Sequence, residues 1–139
     1  MKCRDSLSVG YEEFDKDLKV MFKELEKKIQ ALTATRGHLA EGSDSSMYAI
    51  IKIFTDYFEK QEMLMARSEF KASYQHKHHH QRFLKDLVEM KEMLMADDFS
   101  AGANVAHINS KIYQWLVLHI TTLDKDFGKY YAEYIKTES

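Results

Sequence analysis

Three histidines fall where a helix would bury them. His76 and His80 share an apolar stripe with Phe83, Leu84, Leu87, Met90 and Leu94. His119 sits on another with Val105, Ile108, Ile112, Trp115, Leu116, Ile120, Leu123 and Phe127. Residues four apart stack on adjacent turns of one helix face, so His76-x-x-x-His80 offers two imidazole nitrogens to one point in space. An imidazole buried without a partner costs about 1–3 kcal/mol. A single such histidine is usually satisfied by a carbonyl. Three on the stripes of two helices require a shared partner, and a metal ion is what neutral imidazole nitrogens serve best.

The neighbouring histidines read differently. His78 lies about 160° round the helix from His76 and points to solvent. His79 is at the edge of the stripe, compatible with either side, while His38 and His107 fall in or near loops and are expected at the surface. Asp124 follows His119 by five residues, about 140° round a regular helix. The two share a face only if the helix widens there, as in a π-bulge, or if the bundle axis lies between them. Spacing alone leaves its membership of the site open.

These residues need long helices to position them, and the composition supplies them. The 139 residues include no proline and only five glycines, and 45% are apolar, enough for one core and one domain over 1–139. Phe14, Leu18, Met21, Phe22, Leu25, Ile29 and Leu32 mark helix A over roughly residues 11–35, stopped by Arg36-Gly37. Residues 41–46 read as a loop rich in candidate N-caps. Helix B then carries Met47, Ile50, Ile51, Phe54, Tyr57, Phe58, Gln61 and Met65 inward, with Glu62 one step off the stripe and expected in solvent. A break is expected within Arg67–Ser73, since one helix over 44–96 would be about 80 Å long. Helix C bears His76 and His80, residues 97–102 form a loop, and helix D runs from about Asn104 with Tyr130, Tyr131 and Tyr134 packing back over the rest. The expected fold is all-α, an up-down-up-down four-helix bundle, whose core is a common place for metal sites. The eight methionines are expected mostly as core filler.

Charge and cysteine usage exclude other classes. Twenty Lys plus Arg against 22 Asp plus Glu leave a formal charge of −2, which offers no basic field for nucleic acid. No apolar run is long enough for a signal peptide or a membrane span, and the lone Cys3 reads as a mobile terminal thiol. A cytoplasmic location is expected, with the chain a monomer or a weak homo-oligomer.

Four separated strings resemble the hemerythrin family, in particular its bacterial branch, over nearly the whole chain. They are Val9-Gly10 with Phe14-Asp15, YFEKQEMLM at 57–65, His76-x-x-x-His80-x-x-Phe83, and WLVLHITTLDKDF at 115–127. The resemblance implies a non-haem iron centre inside the bundle, in which the family holds two irons on five histidines and two bridging carboxylates. Carried over by position, His76, His80 and His119 match the ligands of the first iron and Asp124 matches one bridge. The sequence departs at the helix A histidine, which is Leu18, at the helix B histidine, which is Tyr57, and at the bridging glutamate, which is Gln61.

All three departures strike the second iron or the bridge, so a single iron per chain is expected, with zinc possible from the same donors. Tyr57 is either a phenol that binds or hydrogen-bonds at the site or a core residue capping the lost position, and the second reading is preferred. Gln61 is a candidate orienter of Asp124. Leu18 fills space and Trp115 packs. The leading functional expectation is a mononuclear centre binding or sensing a small ligand such as dioxygen or an anion. The alternatives are a degenerate bundle acting as a partner-binding module, or a metal-dependent hydrolase or oxidase.

Overall fold

Apolar residues spaced alternately by four and three produce helices that bury one face each, and that pattern governs the computed structural model. The structure describes residues 7–32, 42–96 and 101–138. Cys3, His38 and the Arg36-Gly37 stop lie outside the described residues. Helix α1 spans Glu12–Gln30 and buries Phe14, Leu18, Met21, Phe22, Leu25 and Ile29, the expected stripe. Acidic residues in its first turn and Lys27 and Lys28 in its last complement the helix dipole. It ends earlier than the sequence reading placed it. A tightened turn forms at Ala31 and Leu32, where the Leu32 N–H bonds back to Ile29 O, and Leu32 is fully buried.

Helix α2 (Ser43–Arg67) begins inside the segment expected as a loop. The N-cap is Gly42 at φ 81, and no serine or aspartate side chain caps the helix. Its end falls in the expected break. Glu69 takes the left-handed conformation at φ 55, and the Phe70 N–H reaches back to Met65 O, the closure that more often uses glycine. The Tyr130 hydroxyl donates to the Ser68 carbonyl in this turn, and its ring lies 5.0 Å from Phe70. The tyrosine-rich C-terminus thus does pack back over the other helices.

Helix α3 (Ser73–Ala96) follows, then α4 (Ala101–His119), which starts within the segment expected as a loop. From α4 the chain continues through a π-helical segment, Ile120–Asp124, into α5 (Lys125–Glu138) without interruption. Counting that rod as one, four helices pack against each other: α2 on α1 and α3, α3 on α4, and α1 on α5 through Phe14 against Phe127 and Tyr131. No strand occurs among the described residues, and no helix is long and apolar enough to cross a membrane. Of the methionines expected as filler, Met21, Met47 and Met65 are buried while Met63 and Met93 are exposed.

The segment before α1 is anchored from both sides. Asp15 accepts from the Val9 N–H at 2.8 Å and the Ser8 hydroxyl at 2.7 Å, and Val9 lies against Gly128 of α5. A Cβ at position 128 would stand 2.1 Å from Val9 O, so backbone must move to admit one. Gly128→Ala is expected to destabilise the fold by about 1–3 kcal/mol, the range for overpacking a rigid site. A lowered urea midpoint checks this.

Candidate metal centre

The π-helical segment explains how Asp124 joins the histidines. Widening the helix by one residue per turn brings a position five residues on back to the same face. The string Ile120-Thr121-Thr122 suits such a turn, because its hydroxyls bond carbonyls of the preceding turn. Thr121 Oγ1 donates to Val117 O at 2.7 Å, and Thr122 Oγ1 donates to Leu118 O at 2.6 Å. With the helix so widened, His119 Nε2 and Asp124 Oδ1 are 2.9 Å apart, both buried.

His76 and His80 of α3 point to the same place. Asp124 Oδ1 is 2.9 Å from His76 Nε2, and His119 Nε2 is 3.1 Å from His76 Nε2 and 3.2 Å from His80 Nε2. One ligand atom from each of His76, His80, His119 and Asp124 lies within 4.8 Å of the other three. His78 and His79 are exposed and outside this group, as is His107 on α4.

The donor set fits a metal on two counts. The first is proton accounting. Glu62 Oε2 accepts from His80 Nδ1 at 2.8 Å, which puts the proton of His80 on that nitrogen and turns the Nε2 lone pair inward. His119 Nε2 carries at most one proton, yet faces Asp124, His76 and His80. Lone pairs outnumber protons at the convergence point, and a cation removes that mismatch. The second is spacing. Around an ion with bonds of about 2.1 Å, ligand atoms at right angles stand about 3.0 Å apart and tetrahedral ones about 3.4 Å. Four of the six separations, at 2.9–3.2 Å, are of this order, and all six are within 4.8 Å.

The surroundings hold the rings in place and set their protonation. Phe58 stacks on His80 at 3.8 Å between centroids, and Trp115 lies between His119 (4.4 Å) and Phe83 (3.9 Å). Burial, with His119 and His76 beside it, pushes the His80 imidazole down to about 2, so it is neutral at pH 7. Burial works to raise the Asp124 carboxyl, but hydrogen bonds and charge from His119 and His76 prevail and hold it below the usual carboxylate range. Both groups are therefore ready to ligate at neutral pH.

The same shifts fix a pH dependence for the metal-free protein. A histidine whose folded value is depressed takes up protons only on unfolding, so stability is complete above about 6.5 and falls as pH drops below it. Asp124 acts in the same direction below 3.8, while Glu62, raised by its burial, opposes it. Chelated protein is expected to melt lower at pH 5 than at pH 7.

Tyr57 and Gln61 stand beside the cluster and not in it. Tyr57 donates to Asp124 Oδ2 at 3.2 Å, and Gln61 Nε2 donates to the Tyr57 hydroxyl at 3.2 Å. Gln61 thus acts on Asp124 through Tyr57. Desolvation and the neighbouring Asp124 push the Tyr57 phenol well above its ordinary value, so it serves as a neutral donor. Leu18 is buried, as a space filler should be.

Glu62 corrects the sequence reading. Expected in solvent, it is three-quarters buried and orients His80. The available signal was its place four residues after Phe58, on the face that stacks against His80. Glu62→Ala is expected to weaken metal affinity about 10–100-fold, the usual cost of losing such a partner. A competition titration with a chelator measures it.

No protein-family model matches the chain, and no curated protein or solved structure matches it.

Proposed function

We propose that this chain is a hemerythrin-like metal-binding protein that holds one iron ion on His76, His80, His119 and Asp124. In this reading it binds or senses a small ligand, such as dioxygen or an anion, at a coordination position the four residues leave open. The observation that carries it is the convergence of four buried donor atoms from α3, α4 and the π-helical segment. Three neutral imidazoles and one carboxylate give a divalent ion a net charge of +1, which favours an anionic or reducible ligand. Three imidazoles and one carboxylate are donors that suit iron, with zinc possible from the same set. We also propose an up-down-up-down order for the four helices, supported by the packing of consecutive helices through short links.

Bound iron would supply a Lewis-acidic open position and one transferable electron. The chain's own residues do the rest. Glu62 and Phe58 fix the plane and tautomer of His80, Trp115 fixes His119, and Tyr57 holds one oxygen of Asp124 so that the other faces the imidazoles. Leu18 and Tyr57 stand where the family resemblance puts ligands of the second iron, and Gln61 where it puts a bridging carboxylate. Reversible two-electron carriage of dioxygen is therefore not part of this proposal.

Elemental analysis of protein purified without added metal tests the reading, with one iron per chain expected. The single tryptophan gives a second readout, since Trp115 stacks on His119 and its fluorescence should be quenched as metal returns to chelated protein. Ion at a hundredfold excess over Kd stabilises by about 2.7 kcal/mol, roughly 5–11 °C in Tm for a chain of this size. Protein that takes up no metal, with an unmoved melt and unchanged fluorescence, would refute the proposal.

A further inference from the structure

Between α3 and α4 lies a groove of about 200 Å³ that none of the metal-centre residues lines. Its floor is apolar, with Leu94 and Ile108 buried and Met90 packed half-buried against the core. Its walls are charged and exposed: Asp86 and Glu89 come from α3, Lys111 from α4. Asp86 and Glu89 are three residues apart, as are Ile108 and Lys111, so each helix turns one continuous face to the groove. Among the described residues, no hydrogen bond or ion pair serves the side chain of Asp86, Glu89 or Lys111. Other surface lysines of the chain are paired, Lys52 with Asp56, Lys60 with Asp17 and Lys91 with Asp44. Here opposite charges share one groove without meeting.

We propose that this groove binds a free apolar α-amino acid as its zwitterion. The ammonium group stands against Asp86 and Glu89, the carboxylate against Lys111, and the side chain covers Met90, Leu94 and Ile108. The lining selects that class. Two carboxylates on one wall call for a cation and the amine on the other for an anion, and a ligand carrying both serves all three. A plain anion meets the excess of carboxylates, and a plain amine leaves Lys111 unserved. A sugar or other polar molecule leaves the apolar floor in water. A metal ion has no ligand set here, because the described residues bring such donors together only at His76, His80, His119 and Asp124. Size sets the upper bound. A cavity of about 150 Å³ holds a benzene ring, so this groove takes a leucine or phenylalanine side chain with its head group at the rim, and nothing as large as a nucleotide.

The test is isothermal titration calorimetry on the full chain with L-leucine and L-phenylalanine, in chelator throughout so that the outcome is independent of the metal reading. Saturable binding of one molecule per chain is expected. N-acetyl-L-leucine lacks the ammonium, L-leucinamide lacks the carboxylate and glycine lacks the apolar body, and each should bind at least about tenfold more weakly. That is the lower end of what a hydrogen bond to a charged group contributes. Asp86→Asn with Glu89→Gln, and separately Lys111→Met, should weaken L-leucine by a similar factor. These positions are exposed, so the variants keep the fold, which circular dichroism checks. No saturable binding of either amino acid up to about 10 mM overturns the site. Either blocked analogue binding as tightly as L-leucine overturns the zwitterion assignment, and L-leucine binding unmoved in both charge variants overturns the location.

Discussion

His119→Ala is expected to abolish metal binding at any ordinary concentration, weakening affinity well over about 100-fold. Loss of an outer partner alone costs 10–100-fold, and His119 is the hub of the cluster. Its Nε2 lies 2.9 Å from Asp124 Oδ1, 3.1 Å from His76 Nε2 and 3.2 Å from His80 Nε2, within reach of all three other donor atoms. The melt of the variant should become indifferent to metal and chelator, because a site that no longer binds no longer stabilises by mass action. His79→Ala is the matched control. That residue belongs to the same histidine-rich run, but it is exposed and outside the cluster, and its removal should leave binding intact. The reverse result, with binding lost in His79→Ala and kept in His119→Ala, would mean that a surface histidine patch takes up the metal. Titration of both variants against a chelating indicator, with Tm read in parallel, separates the two.

What the sequence discloses is whatever repeats along one helix. The α1 stripe from Phe14 to Ile29 and the inward faces of His76, His80 and His119 follow from periodicity, because a buried face must recur every three or four residues. Helix ends are less legible. The first turn of α2 starts after Gly42 although four residues suited to capping follow it, and α2 ends on a left-handed Glu69 where glycine would be the ordinary signal. Asp124 was reachable by spacing only through a widened helix or a bundle axis lying between it and His119, and the threonine hydroxyls that accompany the widening act on backbone groups, which side-chain periodicity does not register. Glu62 was hidden for a different reason. Its partner is on another helix, and a stripe read along α2 alone places it a step outside the core. The Gln61–Tyr57–Asp124 chain is likewise a relation between helices, visible only when α2 and the π-helical segment are set side by side.

If the chain holds one iron as proposed, placing the ligands implied by the hemerythrin resemblance at the three departing positions, as Leu18→His, Tyr57→His and Gln61→Glu together, is expected to raise metal content from one to two ions per chain. Leu18 and Gln61 are both buried, Tyr57 reaches Asp124 Oδ2 and Gln61 reaches Tyr57, so donors at 57 and 61 stand beside the cluster and one at 18 faces the interior. Removing the Tyr57 hydroxyl also frees that carboxylate oxygen, which becomes available to a second ion while Oδ1 stays with the first. Each added polar group costs about 1–3 kcal/mol if buried without a partner, roughly 3–9 kcal/mol for three, against a total stability of about 5–15 kcal/mol for an ordinary domain. The metal-free variant should therefore be barely folded and the loaded one stable, a far larger metal dependence of Tm than the parent shows. Circular dichroism with elemental analysis reads both effects. A variant that is helical with and without metal and still binds a single ion would show that Leu18, Tyr57 and Gln61 do not surround a lost second site. Should the triple variant stay unfolded even with metal, the pair Tyr57→His and Gln61→Glu carries the question on α2 alone, since it leaves the α1 stripe intact and should still hold a second ion weakly.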